Sequence, residues 1–199
     1  DGYRWKTFRG FPRQPYRGSF HPFPSAGFGI FEVLALCEAA GTECAITLSN
    51  NESPQDMADF IEYCHGGVSS HWGALRASDG HPAPYRSFTV EIGNEQELSW
   101  NLVDQVRNIT SAMASRAASL QLGFPLRFAV GQNIDMGNFK AEKGALNITR
   151  AMLEVLRPFG PHPAWDAHIG GDAFADSDDF VEVAKAARAE FGRSGGETK

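Results

Sequence analysis

The sequence predicts an α/β fold in which about four βα units make up part of a (β/α)8 TIM barrel, and three observations carry that reading. Short apolar runs alternate with stretches of helical periodicity at intervals of about 35–40 residues, the spacing of βα repeats. Such runs suit a parallel sheet covered by helices. Polar residues stand where successive runs end: Asn50, then Asn94 with Glu95, then Gln132 with Asn133, then His168. An open doubly wound sheet fits the alternation as well, but it carries a phosphate-binding glycine loop at its first βα turn. Here Gly27-Phe28-Gly29 precedes a helix without the third glycine. Polar groups gathered at C-terminal strand ends are instead the arrangement of barrel enzymes.

Residues 1–26 are rich in Pro, Gly, Arg and aromatics and read as a loop. Ile30, Val33, Leu34 and Cys37 recur at helical spacing, and Gly41 stops that helix. Glu43 to Leu48 reads as a strand with Ala45, Ile46 and Leu48 in its core. Ser53-Pro54 is a cap followed by proline at the first helical position. The helix it opens runs to about His65, with Met57, Phe60, Ile61 and Cys64 on one face. Residues 66–86, containing Trp72, Arg76, His81, Pro82 and Pro84, read as a long loop. Loops of that length are usually functional or disordered, and the Trp and His content favours function. Ser87 to Ile92 is the second strand, ending on Gly93-Asn94-Glu95. A long helix over Leu98 to Leu122 carries Leu102, Val106, Ile109 and Met113 as one stripe, and Gly123 ends it. Leu126 to Val130 is the third strand, Gly131 to Lys143 a loop, and Ala145 to Leu156 a helix that Pro158 terminates. Ala164 to His168 is the fourth strand. Ser177 caps a last helix with Phe180, Val181, Val183 and Ala184 inward, before a polar, Gly-rich tail from Gly192 to Lys199.

The 199 residues suffice for one domain with its own core. A usual (β/α)8 barrel needs about 250. A net charge of -6 argues against general attraction to nucleic acid or to an anionic membrane. No apolar run approaches the length of a membrane span. The chain opens on Asp1 with no signal-peptide pattern before it, so a processed or truncated N-terminus is expected. Cys37, Cys44 and Cys64 are odd in number and lack CxxC spacing, which favours buried thiols over a disulfide framework. Cys64, His65, His71 and His81 match no standard zinc spacing. No metal and no cofactor is expected, and compartment and homo-oligomerisation are left open.

The ordered motifs resemble family 51 of the glycoside hydrolases. They are Tyr3-Arg4-Trp5-Lys6, the helix from Gly29 to Glu38, Ile61-Glu62-Tyr63-Cys64, Trp72-Gly73-Ala74-Leu75-Arg76, the Gly80-His81-Pro82 turn, Val90-Glu91-Ile92-Gly93-Asn94-Glu95 and Trp165-Asp166-Ala167-His168. The resemblance implies a retaining α-L-arabinofuranosidase on a (β/α)8 barrel, acting on arabinose-containing oligo- or polysaccharides in L-arabinose metabolism. It makes Glu95 the general acid/base. It makes Asn94, Asn50, Trp72 and His168 substrate-binding. By the same resemblance residues 1–199 are strands 3 to 6 of the parent barrel. The chain is then a partial catalytic domain, a fragment lacking the first two and last two strands. The nucleophilic Glu would stand at the end of the seventh strand, beyond Lys199; Glu197, in the Gly-rich tail, is not assigned that role. Ile169-Gly170-Gly171-Asp172 follows His168 where many members carry aromatic residues, one of which contacts the nucleophile.

The chemistry explains the residue types. Glycoside cleavage leaves negative charge on the departing oxygen, so a neutral carboxylic acid must deliver a proton there. A carboxyl group with an ordinary pKa of about 4.3 is ionised at neutral pH, and burial or a nearby anion has to raise it. In retaining enzymes a second carboxylate about 5–5.5 Å away supplies part of that shift. Plainer roles compete at each position. Glu95 also suits a helix N-terminus, which favours a carboxylate, and Asn94 and Asn50 also suit turns. Trp72 also suits a loop anchor packed on the core, and His168 a core histidine. Two other functions compete: another barrel glycosidase of endo-glucanase or xylanase type, and a non-catalytic carbohydrate-binding homologue.

Overall fold

A computed structural model of the chain describes residues 3–13, 15–17, 23, 27–134, 143–159, 164–169 and 185. Its centre is a four-stranded parallel sheet: β1 (Ala45–Leu48), β2 (Thr89–Gln96), β3 (Arg127–Ile134) and β4 (Ala164–Ile169). The strands lie in chain order, whereas a doubly wound sheet reverses its order at a switch point. Ile46, Val90 and Phe128 share one register row, and Leu48, Ile92 and Val130 the next. All six are buried in the core with the helices. The alternate row holds Thr47, Glu91 and Ala129. β1 therefore alternates, and Ala45, expected in the core, is exposed together with Thr47. Side chains on a strand point to opposite faces in turn, and among the described residues the helices cover only one of those faces.

Among the described residues six α-helices accompany the sheet: α1 (Trp5–Phe8), α2 (Ile30–Ala40), α3 (Pro54–His65), α4 (His71–Ser78), α5 (Trp100–Ser119) and α6 (Lys143–Leu156). Ser53 caps α3 as expected, its Oγ accepting from the Asp56 N–H, with Pro54 in the first turn. Ser99 caps α5 in the same way through the Leu102 N–H. The stripe Leu102, Val106, Ile109 and Met113 is buried against the Met57, Phe60, Ile61 and Cys64 face of α3 and the outer row of the sheet. Each such side chain contributes about 1.5–3 kcal/mol by leaving water. Cys37, Cys44 and Cys64 are free thiols, the last two buried.

The structure departs from the sequence reading in three places. Residues 1–26 contain α1, whose Trp5 is fully buried. Its backbone N–H donates to Glu52 Oε1 and its indole N–H to the Asp56 carbonyl, both at 2.9 Å. Residues 66–86 contain α4, capped by Ser70, whose Oγ accepts from the Gly73 N–H. The helix delivers Arg76 to a site with no exposed surface at all. There the guanidinium donates to the carbonyls of Tyr63, Gly66, His81 and Pro82 at 2.7–3.0 Å. A buried arginine breaks the apolar period that identifies a helix, so the stretch looks like loop. Finally, β2 continues past Ile92 to Gln96 and β3 past Val130 to Ile134. The expected helix after Ser177 and the tail lie outside the described residues.

His65 makes the fold sensitive to acid. Its ring is buried, stacked on Phe88 and edge-on to Phe124, with Nδ1 3.1 Å from the Tyr85 carbonyl. Burial pushes its pKa down to about 4, with the Arg76 charge adding to the shift and the Tyr85 hydrogen bond opposing it. The unfolded chain, with a pKa near 6.5, takes up that proton first as pH falls. The contribution is therefore complete above about pH 6.5 and is lost as pH drops through 4, for a total of roughly 3 kcal/mol. Urea unfolding of the full-length protein at pH 7, 5.5 and 4 measures this. The loss of stability over that window is expected to flatten in His65→Gln, and an unchanged slope would count against this origin.

Candidate active site

The end of β2 is irregular. Ile92 pairs with Val130 and Gln96 with Gln132, so Gly93, Asn94 and Glu95 stand opposite Gly131 alone. This bulge turns the backbone left-handed at Gly93 (φ 77°) and at Glu95 (φ 51°). For a residue with a side chain that conformation costs about 1–2 kcal/mol. Such strain persists where the surroundings enforce it, and it collects at functional sites. Bulges also re-aim side chains. Here Asn94 and Glu95 are exposed at the C-terminal end of the sheet.

Three neighbours shape the bulge. The Gln96 side chain folds back so that its Nε2 donates to the Asn94 carbonyl at 2.8 Å. A Cβ at Gly93 would lie 2.6 Å from Gln96 Cγ. A Cβ at Gly131 would lie 2.9 Å from the Gly93 carbonyl oxygen, 2.9 Å from Glu91 Oε1 and 3.3 Å from Asn94 Cα. β2 thus rests on β3 where β3 has no side chain. Below it, Glu91 Oε2 accepts from Thr47 Oγ1 across the sheet.

Asn50 stands two residues beyond the end of β1. It is nearly buried, with its Cβ 3.6 Å from where a Cβ at Gly93 would stand, and its Nδ2 donates to Gln105 Oε1 on α5 at 3.3 Å. The chain therefore brings Asn50, Asn94 and Glu95 together at one end of the sheet. His168 on β4 is in backbone register with Asn133, and Asp166 with Gly131, so the fourth strand reaches the same end. Trp72 stands on α4. Its ring is half-buried on α4, edge-on to Trp5 and His71, with Lys6 Nζ 4.6 Å above it. Lys6 in turn bonds Asp56 and Asp59 on α3 at 2.6 Å each, and the Trp72 N–H donates to Glu62 Oε1. These contacts belong to the layer formed by α1, α3 and α4, the packing role. A shallow cleft lined by Leu34, Cys37, Cys44 and Phe88 among others lies at the N-terminal ends of β1 and β2 and not at these residues.

An exposed carboxyl beside a carboxamide suits proton transfer to or from a bound ligand together with recognition of a hydroxyl group. Among the described residues no group of three or more His, Cys, Asp or Glu could hold a metal ion. No described helix is long and apolar enough to cross a membrane. Gln96, Gln105, Gly131 and Glu91 are the parts of the site that sequence reasoning missed. One signal was present: an isolated glycine inside a strand marks a bulge or a close backbone approach, and Gly131 continues β3 after Val130.

Comparison with known proteins adds the following. The model of the Alpha-L-arabinofuranosidase 1 domain matches residues 1–126. An extracellular exo-α-L-arabinofuranosidase of Streptomyces chartreusis is 39% identical over 59 residues, covering 30% of this chain and 7% of that protein. α-L-Arabinofuranosidase 2 of Arabidopsis thaliana is 31% identical over 111 residues, covering 48% of this chain and 16% of that protein. Among solved structures, a family 51 α-L-arabinofuranosidase from Bifidobacterium longum superposes with a TM-score of 0.62 at 17% identity, over 84% of this chain and 33% of that one. An arabinose complex of the Thermotoga maritima α-L-arabinofuranosidase gives 0.57 at 17% identity, over 82% and 33%. At that identity the likeness is one of fold. The chain spans only 7% and 16% of the length of the two curated relatives and a third of the two structures.

Proposed function

Since the chain belongs to the α-L-arabinofuranosidase 1 domain family, we propose that it forms the central part, strands 3 to 6, of the catalytic (β/α)8 barrel of a longer retaining α-L-arabinofuranosidase. Its substrates are arabinose-containing oligo- or polysaccharides, from which it releases terminal arabinofuranosyl residues. Glu95 is the general acid/base. In the first step its carboxyl protonates the departing oxygen, and in the second it takes a proton from water. Asn94 and Asn50 hold sugar hydroxyls, with hydrogen bonds that tighten as the ring flattens. His168 completes the polar end of β4. The nucleophilic carboxylate comes from a part of the enzyme beyond Lys199. Trp72 lines the sugar site with a ring that is half-buried on α4.

The observation that carries this reading is the bulge that sets Asn94 and Glu95 out from the end of β2 with Glu95 in a left-handed conformation. The test is a panel of aryl glycosides given to the full-length protein. Hydrolysis of the α-L-arabinofuranoside is expected to exceed that of β-D-xylopyranoside and β-D-glucopyranoside by more than about 100-fold in kcat/KM, a preference worth about 2.7 kcal/mol. A preference for a pyranoside would replace the proposal with another barrel glycosidase. Binding of arabinan without turnover of any glycoside would replace it with a non-catalytic carbohydrate-binding protein.

A further inference from the structure

We infer that Gln96 and Gly131 are positioning residues for the Glu95 carboxyl, together holding the β2 bulge that carries it. The inference rests on the acid/base role proposed for Glu95. In the strand register Gly93, Asn94 and Glu95 together stand opposite Gly131. A left-handed glutamate does not hold itself in place, because relaxing to an ordinary φ releases about 1–2 kcal/mol. Two contacts oppose that relaxation from opposite sides. On one side the Gln96 amide donates to the Asn94 carbonyl, between the two left-handed residues, and fixes the orientation of that peptide group. On the other side the Gly93 carbonyl and Asn94 Cα lie flat on Gly131. A methyl group at position 131 would meet backbone there, not the movable end of a side chain, so the whole turn would have to lift. It would also meet Glu91 Oε1, whose partner oxygen accepts from Thr47.

Lifting the turn displaces the Glu95 carboxyl relative to a sugar held by other strands. Proton delivery is sensitive to such a shift, and a misplacement of about 1 Å can cost about 100-fold in rate. The need for protonation scales with how poor the leaving group is, which gives a readout that general destabilisation would not produce.

The experiment uses the full-length protein with Gly131→Ala, Gln96→Met and Glu95→Ala, each assayed on an alkyl and on a 2,4-dinitrophenyl α-L-arabinofuranoside. Gln96→Met keeps the length of the side chain and loses only the donor; it lies at a half-exposed position, so it stays informative should Gly131→Ala fold poorly. Both positioning variants are expected to lose about 10–100-fold in kcat/KM on the alkyl glycoside, where the acid is needed, and less than about 3-fold in kcat/KM on the dinitrophenyl glycoside, whose bond breaks without it. Equal losses on both substrates, or none, overturn the inference provided Glu95→Ala shows the leaving-group split. Should Glu95→Ala itself lose both activities equally, the acid/base role falls and takes this inference with it.

Discussion

Glu95→Ala in the full-length protein is expected to cut turnover of arabinofuranosides with poor leaving groups by about 10²–10⁴-fold, the range typical of a lost general acid. Turnover of a dinitrophenyl arabinofuranoside should fall much less in the glycosylation step, because that leaving group departs without a proton. The second step still needs a base. The glycosyl-enzyme should then accumulate on the activated substrate, visible as a burst of dinitrophenolate followed by a slow steady state. Added azide needs no deprotonation and should speed that slow phase. Glu95→Gln keeps the volume and the left-handed backbone but cannot give up a proton, and should behave like Glu95→Ala. The burst and the leaving-group split together identify the acid/base. A uniform loss on all substrates would assign Glu95 to structure.

The largest effect on stability is expected at Arg76. Its guanidinium is fully buried and donates to four backbone carbonyls, with no carboxylate among those four. Two of those carbonyls, of Tyr63 and Gly66, lie at the C-terminal end of α3. A helix leaves its last carbonyls unsatisfied and carries partial negative charge there, so this is a place where a cation is stabilised. The other two, of His81 and Pro82, belong to the segment that leads to β2. One side chain thus ties the end of one helix to the start of the next strand. Arg76→Met fills much of the volume and leaves those carbonyls without donors, at about 1–3 kcal/mol for each that stays buried. A loss of at least about 4 kcal/mol is expected in urea unfolding. Arg76→Lys keeps the charge but not the planar fork, and should recover only part of it. A loss below about 1 kcal/mol for Arg76→Met would show that water replaces the guanidinium, and the tie would not be structural.

The order of elements was legible because each signal was local. Ser53 stands where a helix begins, apolar stripes repeat along α3 and α5, and short β-prone runs mark the strands. The match to the family model bears out the resemblance read from the ordered motifs. Two short helices were missed for different physical reasons. α1 is held by contacts far away in sequence, Trp5 on Glu52 and Asp56, which no window of neighbouring residues contains. α4 turns Arg76 onto the backbone carbonyls of Tyr63 and His81, and a carbonyl that any residue supplies leaves no mark in the sequence. The same applies to the site. Asn94 and Glu95 are visible as a dipeptide at a strand end, and Asn50 as a polar residue at another. That Gly131 would lie beneath Asn94, or Gln105 beside Asn50, depends on the register of one strand against another and on the packing of α5. Trp72 read as a loop residue, and the helix that carries it sets its ring against Trp5 and Lys6.

The Arg76 knot and the His65 ring lie where α3 has run back to the start of the strands, while Asn50, Asn94 and Glu95 occupy the finish. The strands therefore separate two kinds of tolerance along their length. On the proposed reading, sequence drift near the finish retunes recognition and rate, and drift near the start acts on stability. A library in the loops that follow β1 and β2 can then search for new sugar preferences with the Arg76 tie intact, provided that Glu52, Ser53 and Gly93 are held fixed.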